Sequence, residues 1–175
     1  MLERSVFSHI VTSRHGVPLM MTHGSGLIVE INDGDSFDYR GALFYDLAKV
    51  AAIRLAMNMA EDFRRADMRI TALALTPGFL RSEEVLEHFG VTEVNWQDGA
   101  KKEPYFIASE TPFYTGRAVA ALSADPNIYA KTGKAFYTGN LAVEYGFTDI
   151  DGTQPNFQTF FKEMESKSHK RNLSS

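Results

Sequence analysis

The sequence predicts an α/β fold built on a parallel sheet, and three observations predict it. Two short, almost uninterrupted apolar runs rich in β-branched residues, 26–31 and 68–75, read as strands covered on both faces. Longer segments with apolar residues at helical spacing alternate with those runs, as in proteins whose parallel strands are joined by helices. The chain has 175 residues, 44% hydrophobic and 23% charged, which is enough to close a core and excludes wholesale disorder.

Each element follows from its residues. Over 2–21 the apolar positions Val6, Ile10, Val11, Val17 and Leu19 predict an amphipathic helix that ends before His23-Gly24, with Pro18 near its last turn. The run 26–31 is a central strand, closed by the turn residues Asn32-Asp33-Gly34-Asp35. Over 42–66 a long helix carries Leu47, Val50, Ala51, Leu55, Met59 and Phe63 on its apolar side, and its many alanines favour helix and allow close packing. The second strand, 68–75, is stopped by Thr76-Pro77-Gly78.

From 79 to 112 the pattern becomes short helical pieces among polar and aromatic residues, an excursion beyond the carboxyl end of the second strand, where open parallel sheets bind ligands. A helix over 111–123 has Pro112 in its first turn and turns Ala118, Val119, Ala121 and Leu122 inward. Residues 134–137 form a short strand and 141–145 a helical turn. One domain is expected over 1–161, followed by a polar tail over 162–175 that frays.

The charge balance excludes several classes of function. Lys and Arg number 18 against 22 Asp and Glu, a net charge of −4 without a basic stripe, so neither nucleic acid nor an anionic membrane is expected as partner. There is no cysteine, which rules out a disulfide scaffold and a thiolate metal site and suits a cytoplasmic protein. The opening residues lack the apolar core of a signal peptide, and no window is long and apolar enough to span a bilayer. Glu84 and His88 have a helical ligand spacing, but two ligands make no metal site, and none is expected. No Gly-x-Ser-x-Gly elbow points to a hydrolase.

The most informative local feature is Tyr45-Asp46-Leu47-Ala48-Lys49. Positions four apart share a helix face, so the Tyr45 hydroxyl and the Lys49 ammonium can point into one cleft. A cation beside a phenol favours tyrosinate and lowers the phenol from about 10 toward the working range of a general acid/base. The bare spacing equally describes a solvated surface pair.

Its setting gives the motif weight. In order stand Ile28-Val29-Glu30-Ile31-Asn32-Asp33, Tyr45 with Lys49, Leu75-Thr76-Pro77-Gly78, the stretch 116–126, Gly133-Lys134 and the stretch 141–152. Together these resemble the C-terminal part of the short-chain dehydrogenase/reductase family, and within it the dehydrogenase/reductase member 1-like branch. In that family a strand of the type Ile-Val-x-Ile-Ser-Ser precedes a Tyr-x-x-x-Lys helix, and the next strand ends in Pro-Gly. The resemblance implies a partial Rossmann-like, doubly wound parallel sheet. It also implies hydride transfer between NAD or NADP and a small alcohol or carbonyl substrate. Tyr45 is then the proton donor or acceptor, and Lys49 assists it and binds the nicotinamide ribose. Pro77, Gly78 and Ser82 contact the nicotinamide end, and the segment 79–112 covers the substrate. Helices 6–21 and 42–65 are the expected homo-oligomer surface.

Two departures qualify what the resemblance implies. The family's catalytic Ser falls on Asp33, and an ionised carboxylate accepts hydrogen bonds but donates none, so Asn32 or Ser36 is left as the substitute donor. Ser5 lies near the place of the family's catalytic Asn. The family's Gly-rich nucleotide-binding turn belongs upstream, while Gly24-Ser25-Gly26 precedes a strand and reads as a plain turn, so the chain is expected to lack the cofactor-binding half. The alternative is a non-catalytic remnant acting through association or small-ligand binding. An apolar edge at 27–31 favours self-association. Trp96, Phe106, Phe113 and Tyr114 either line a substrate pocket or pack the covering helices. Asp33 itself is also a good turn residue that bonds its own backbone.

Overall fold

The computed structural model describes residues 2–34 and 41–173. The chain divides into two compact units. The first is Met1–Thr76 with Val119–Phe136, and the second Pro77–Ala118 with Tyr137–Ser175.

The first unit holds α1 (Ser8–His23), entered through a π turn at Glu3–Phe7, then β1 (Gly26–Ile31), α2 (Leu43–Arg65) and β2 (Ile70–Thr76). The strand β3 (Ala135–Tyr137) completes a three-stranded sheet in the order β1-β2-β3. β1 and β2 run parallel, in register from Gly26 opposite Ile70 to Ile31 opposite Leu75. The Ala74 N–H donates to the Lys134 carbonyl (3.0 Å), tying β2 to the approach to β3. All of β2 is buried, as its unbroken apolar run requires. Ile70, Leu73 and Leu75 are fully enclosed, and burial of such side chains stabilises by about 1.5–3 kcal/mol each.

The helix α2 buries Ala48, Ala52, Ile53, Ala56, Ala60 and Phe63, one stripe of small residues ended by an aromatic. Ala60 and Phe63 pack with Ile70 and Ala72, and Val17, Met20, Ile28, Met59 and Met68 close around them. At Gly24 (φ 75°) α1 ends in a left-handed cap whose N–H returns to the Met21 carbonyl, and β1 begins two residues later. The Gly24-Ser25-Gly26 stretch is therefore a helix stop followed by a strand.

The second unit is helical. It contains α3 (Glu83–Phe89), 3₁₀ turns at Trp96–Lys101 and Pro104–Ala108, the first part of α4 (Pro112–Ala124), α5 (Thr138–Tyr145) and α6 (Phe157–Leu173). Phe106 is its aromatic centre, 4.7 Å from Phe89, 5.2 Å from Phe79 and 6.1 Å from Trp96 between ring centroids. Trp96, Phe106 and Tyr114 thus serve packing, while Phe113 is exposed. α6 extends into the polar tail expected to fray. Its first turns carry Phe157, Phe160 and Phe161, which meet Phe79 and Tyr105 and supply the apolar anchor that the polar end lacks.

Candidate functional site

In the first unit the end of β1 and the start of α2 converge on one hydroxyl. The Tyr45 Oη donates to Asp33 Oδ2 at 2.7 Å. One helical turn later the Lys49 ammonium stands 5.3 Å from the Tyr45 ring centroid, within cation–π range. All three side chains are half-buried. Tyr45, Lys49 and Asp33, the residues to which sequence reasoning assigned the chemistry, are therefore neighbours in space.

The turn that presents Asp33 is fixed by Asn32, Gly34 and Thr76. The Thr76 hydroxyl, at the end of β2, lies 2.8 Å from the Gly34 carbonyl and 3.1 Å from Asn32 Oδ1. The Asn32 amide donates to the Gly34 carbonyl (2.6 Å), and its own N–H donates to the Leu75 carbonyl (3.0 Å). Asn32 is buried with both ends of its amide engaged, so it holds the turn in place. Ser36, the other substitute donor, lies outside the described residues. Ser5 sits half-buried in the π turn before α1. Glu30 of β1 is a further buried carboxylate, paired with His9 Nδ1 of α1.

In the second unit the Pro77-Gly78 turn and Ser82 open the segment that leads to α3. Ser82 caps α3, its hydroxyl accepting from the Val85 N–H (3.4 Å). The Gly78 N–H donates to Glu110 Oε2 at 2.9 Å. A Cβ at residue 78 would lie 2.7 Å from the Phe157 Cβ and 2.8 Å from Glu110 Oε2, so this approach requires glycine.

Glu110 is fully buried. Burial pushes its carboxyl up to about 7, and the Asp149 charge acts in the same direction, against the bonds from Gly78, Thr115 and Thr138. Burial, followed by the Glu110 and Asp149 carboxylates, also raises the Tyr114 hydroxyl. Asp149 accepts from the Thr111 N–H (2.8 Å) and hydroxyl. The buried Arg81 guanidinium donates to Glu93 (3.0 Å) and to the Ser109 carbonyl (2.8 Å), and lies 4.1 Å over the Trp96 ring. An open cavity of about 630 Å³ is lined by Phe79, Phe89, Glu84, His88, Lys102 and Glu103, among others. Among the described residues no group of three or more His, Asp or Glu could hold a metal ion, and no helix is long and apolar enough to cross a membrane.

No protein-family model matches the chain. The chain is 36% identical over 146 residues to Dehydrogenase/reductase SDR family member 1 of Homo sapiens, and 34% identical over 145 residues to the Mus musculus protein of that name. Each match takes in 82% of this chain and 46% of the relative, so the chain spans about half the length of the curated relatives it matches. Solved structures show the same fold. A short chain dehydrogenase of Mycobacterium thermoresistibile has a TM-score of 0.62 at 19% identity, covering 87% of this chain and 50% of that one. L-sorbose reductase of Gluconobacter frateurii, complexed with NADPH and L-sorbose, has a TM-score of 0.60 at 17% identity, covering 75% and 52%. 4-Hydroxyisoleucine dehydrogenase complexed with NADH has a TM-score of 0.54 at 19% identity, covering 76% and 53%. With these relatives, this parallel sheet and a Tyr-x-x-x-Lys helix in motif order, the chain belongs to the short-chain dehydrogenase/reductase family.

Proposed function

We propose that this chain carries the acid/base centre of an NAD(P)-dependent oxidoreductase interconverting a small alcohol and a carbonyl. The observation that carries the reading is the Tyr45 hydroxyl bonded to Asp33, with the Lys49 ammonium over the Tyr45 ring. The residues suit a nicotinamide cofactor. In the first unit Lys49 is a half-buried cation able to donate to a ribose hydroxyl. In the second unit Pro77, Gly78 and Ser82, which the family resemblance assigns to the nicotinamide end, are half-exposed. When bound, the cofactor supplies or accepts the hydride.

Everything else falls to the side chains. The Tyr45 oxygen takes the alcohol proton while its own proton moves along the existing hydrogen bond to Asp33 Oδ2. Lys49 favours the negative charge that develops on the phenol during that exchange. In its carboxylate form Asp33 accepts hydrogen bonds and donates none, so it takes the Tyr45 proton instead of polarising a carbonyl oxygen as the hydroxyl in the family pattern would. A dehydrogenase assay over a panel of small secondary alcohols tests this. Turnover with NAD or NADP that is lost in Tyr45→Phe supports the reading, and turnover unchanged by that substitution contradicts it.

A second reading, a family member acting through association, is favoured by a different observation. Phe7 just before α1, Ile10, Val11 and Leu19 along it, and Leu43, Phe44 and Leu47 at the start of α2 are exposed apolar side chains in the two segments expected to form a homo-oligomer. A chain that self-associates but shows no saturable response to either cofactor fits that reading alone.

A further inference from the structure

Residues 78–82 are tied to residues 109–111 by bonds of two kinds. The Glu110 N–H donates to the Phe79 carbonyl (2.9 Å) and the Arg81 N–H to the Glu110 carbonyl (2.8 Å), as a short parallel bridge that any residue other than proline at 110 could make. The bond from the Gly78 N–H to Glu110 Oε2 (2.9 Å) depends on the side chain. It is also the bond that reaches the Pro77-Gly78 turn. A fully buried carboxylate that makes no ion pair among the described residues is a costly partner for one amide, and a neutral side chain would satisfy that amide at less expense.

We propose that Glu110 is a positioning residue. When ionised, its carboxylate draws in the Gly78 N–H and sets the backbone of residues 78–82 that receives the nicotinamide end of the cofactor. What that segment receives rests on the cofactor reading above. The contact itself stands on geometry, because only glycine at 78 leaves room for Glu110 Oε2 and Phe157 beside it.

The groups facing Glu110 make the bond responsive to pH. Thr115 donates from α4 (3.1 Å) and Thr138 of α5 also bonds the carboxylate. Tyr114 on α4 and Asp149 in the loop after α5 interact with it electrostatically. α6 contributes Phe157, which is apolar. With the carboxyl pushed up to about 7, it is ionised in mildly alkaline solution and protonated in mildly acidic solution. Protonation removes the charge assistance from the Gly78 bond and lets the turn relax.

The test uses the full chain labelled with nitrogen-15, titrated from about pH 5 to about pH 9, with NADH affinity measured by fluorescence across the same range. The Gly78 amide resonance is expected to move downfield with a midpoint near 7 in the wild type and to stay flat in Glu110→Gln. Thr115→Val, a milder change that removes one donor to the carboxylate, is expected to move the midpoint upward. NADH affinity is expected to rise about tenfold between the acidic and alkaline limits in the wild type and not in Glu110→Gln. A Gly78 resonance whose titration is unchanged by both substitutions overturns the clamp. A Gly78 titration that follows Glu110 while NADH affinity does not overturns the positioning role. No NADH binding by the wild type at any pH overturns the cofactor reading and leaves the clamp to be judged by the Gly78 resonance alone.

Discussion

The Tyr45 hydroxyl has one proton to give, and in this structure it is given to Asp33. Tyr45→Phe is expected to leave NADH affinity within about twofold and to lower alcohol oxidation roughly a hundred- to ten-thousandfold, in steady-state assays of both quantities. In Asp33→Asn the amide oxygen still accepts the Tyr45 hydrogen bond but no longer takes the proton, so the oxidation rate falls while thermal stability holds. The carboxyl of Glu110 behaves differently, because burial raises it to about 7 from the ordinary carboxyl value of 4.5. Between those two values the folded chain holds a proton that the unfolded chain has lost, so stability falls as pH rises through that window. The full cost is present above about 7 and absent below the unfolded value; it is on the order of 3 kcal/mol at most. Chemical denaturation at several pH values is expected to show that slope in the wild type and a flatter one in Glu110→Gln. Tyr45, Lys49 and Asp33 were legible in the sequence because two share a helix face and the third sits in the turn that ends β1. Glu110 was not. It meets Gly78 across a separation of 32 residues, and nothing in its neighbours announces a buried carboxylate.

At the scale of elements, periodicity marked what packing confirms. The two apolar runs are β1 and β2, and the alanine-rich segment is α2. Both strands are near-continuous in apolar residues, and a helix with one apolar stripe has few alternatives to lying on such a sheet. Periodicity carries no information on the polar bonds that join element ends, so the sequence marks Thr76 only as the residue that stops the second strand. Thr76→Val removes the donor to Asn32 Oδ1 in a buried site, while the Gly34 carbonyl keeps the Asn32 amide, and is expected to cost about 1–3 kcal/mol by denaturant unfolding. It should also loosen the Tyr45–Asp33 bond. Ser82→Ala removes the cap of α3 and is expected to cost about 1 kcal/mol. Composition registers the polar residues after 161, while the aromatic residues at the start of α6 pack against Tyr105.

At the scale of the molecule, the chain spans about half the length of its curated relatives. Exposed apolar residues on α1 include Ile10, Val11, Leu19 and Met21 and on α2 Leu43, Phe44 and Leu47, and β1 lies at the end of the strand order. Under the association reading, Phe7→Ser combined with Phe44→Ser is expected to shift the sedimentation profile to a smaller species without loss of helix content; an unchanged profile removes those helices as the interface. The oxidoreductase reading makes a sharper demand on the same chain, that a cofactor be held beside Tyr45 by Lys49. Titration of the wild type and of Lys49→Ala with NADH and NADPH measures this most directly. Saturable binding of one cofactor, weakened tenfold or more by loss of the ammonium, is the predicted result. No saturable binding to millimolar cofactor, or equal affinity in the two proteins, would contradict it.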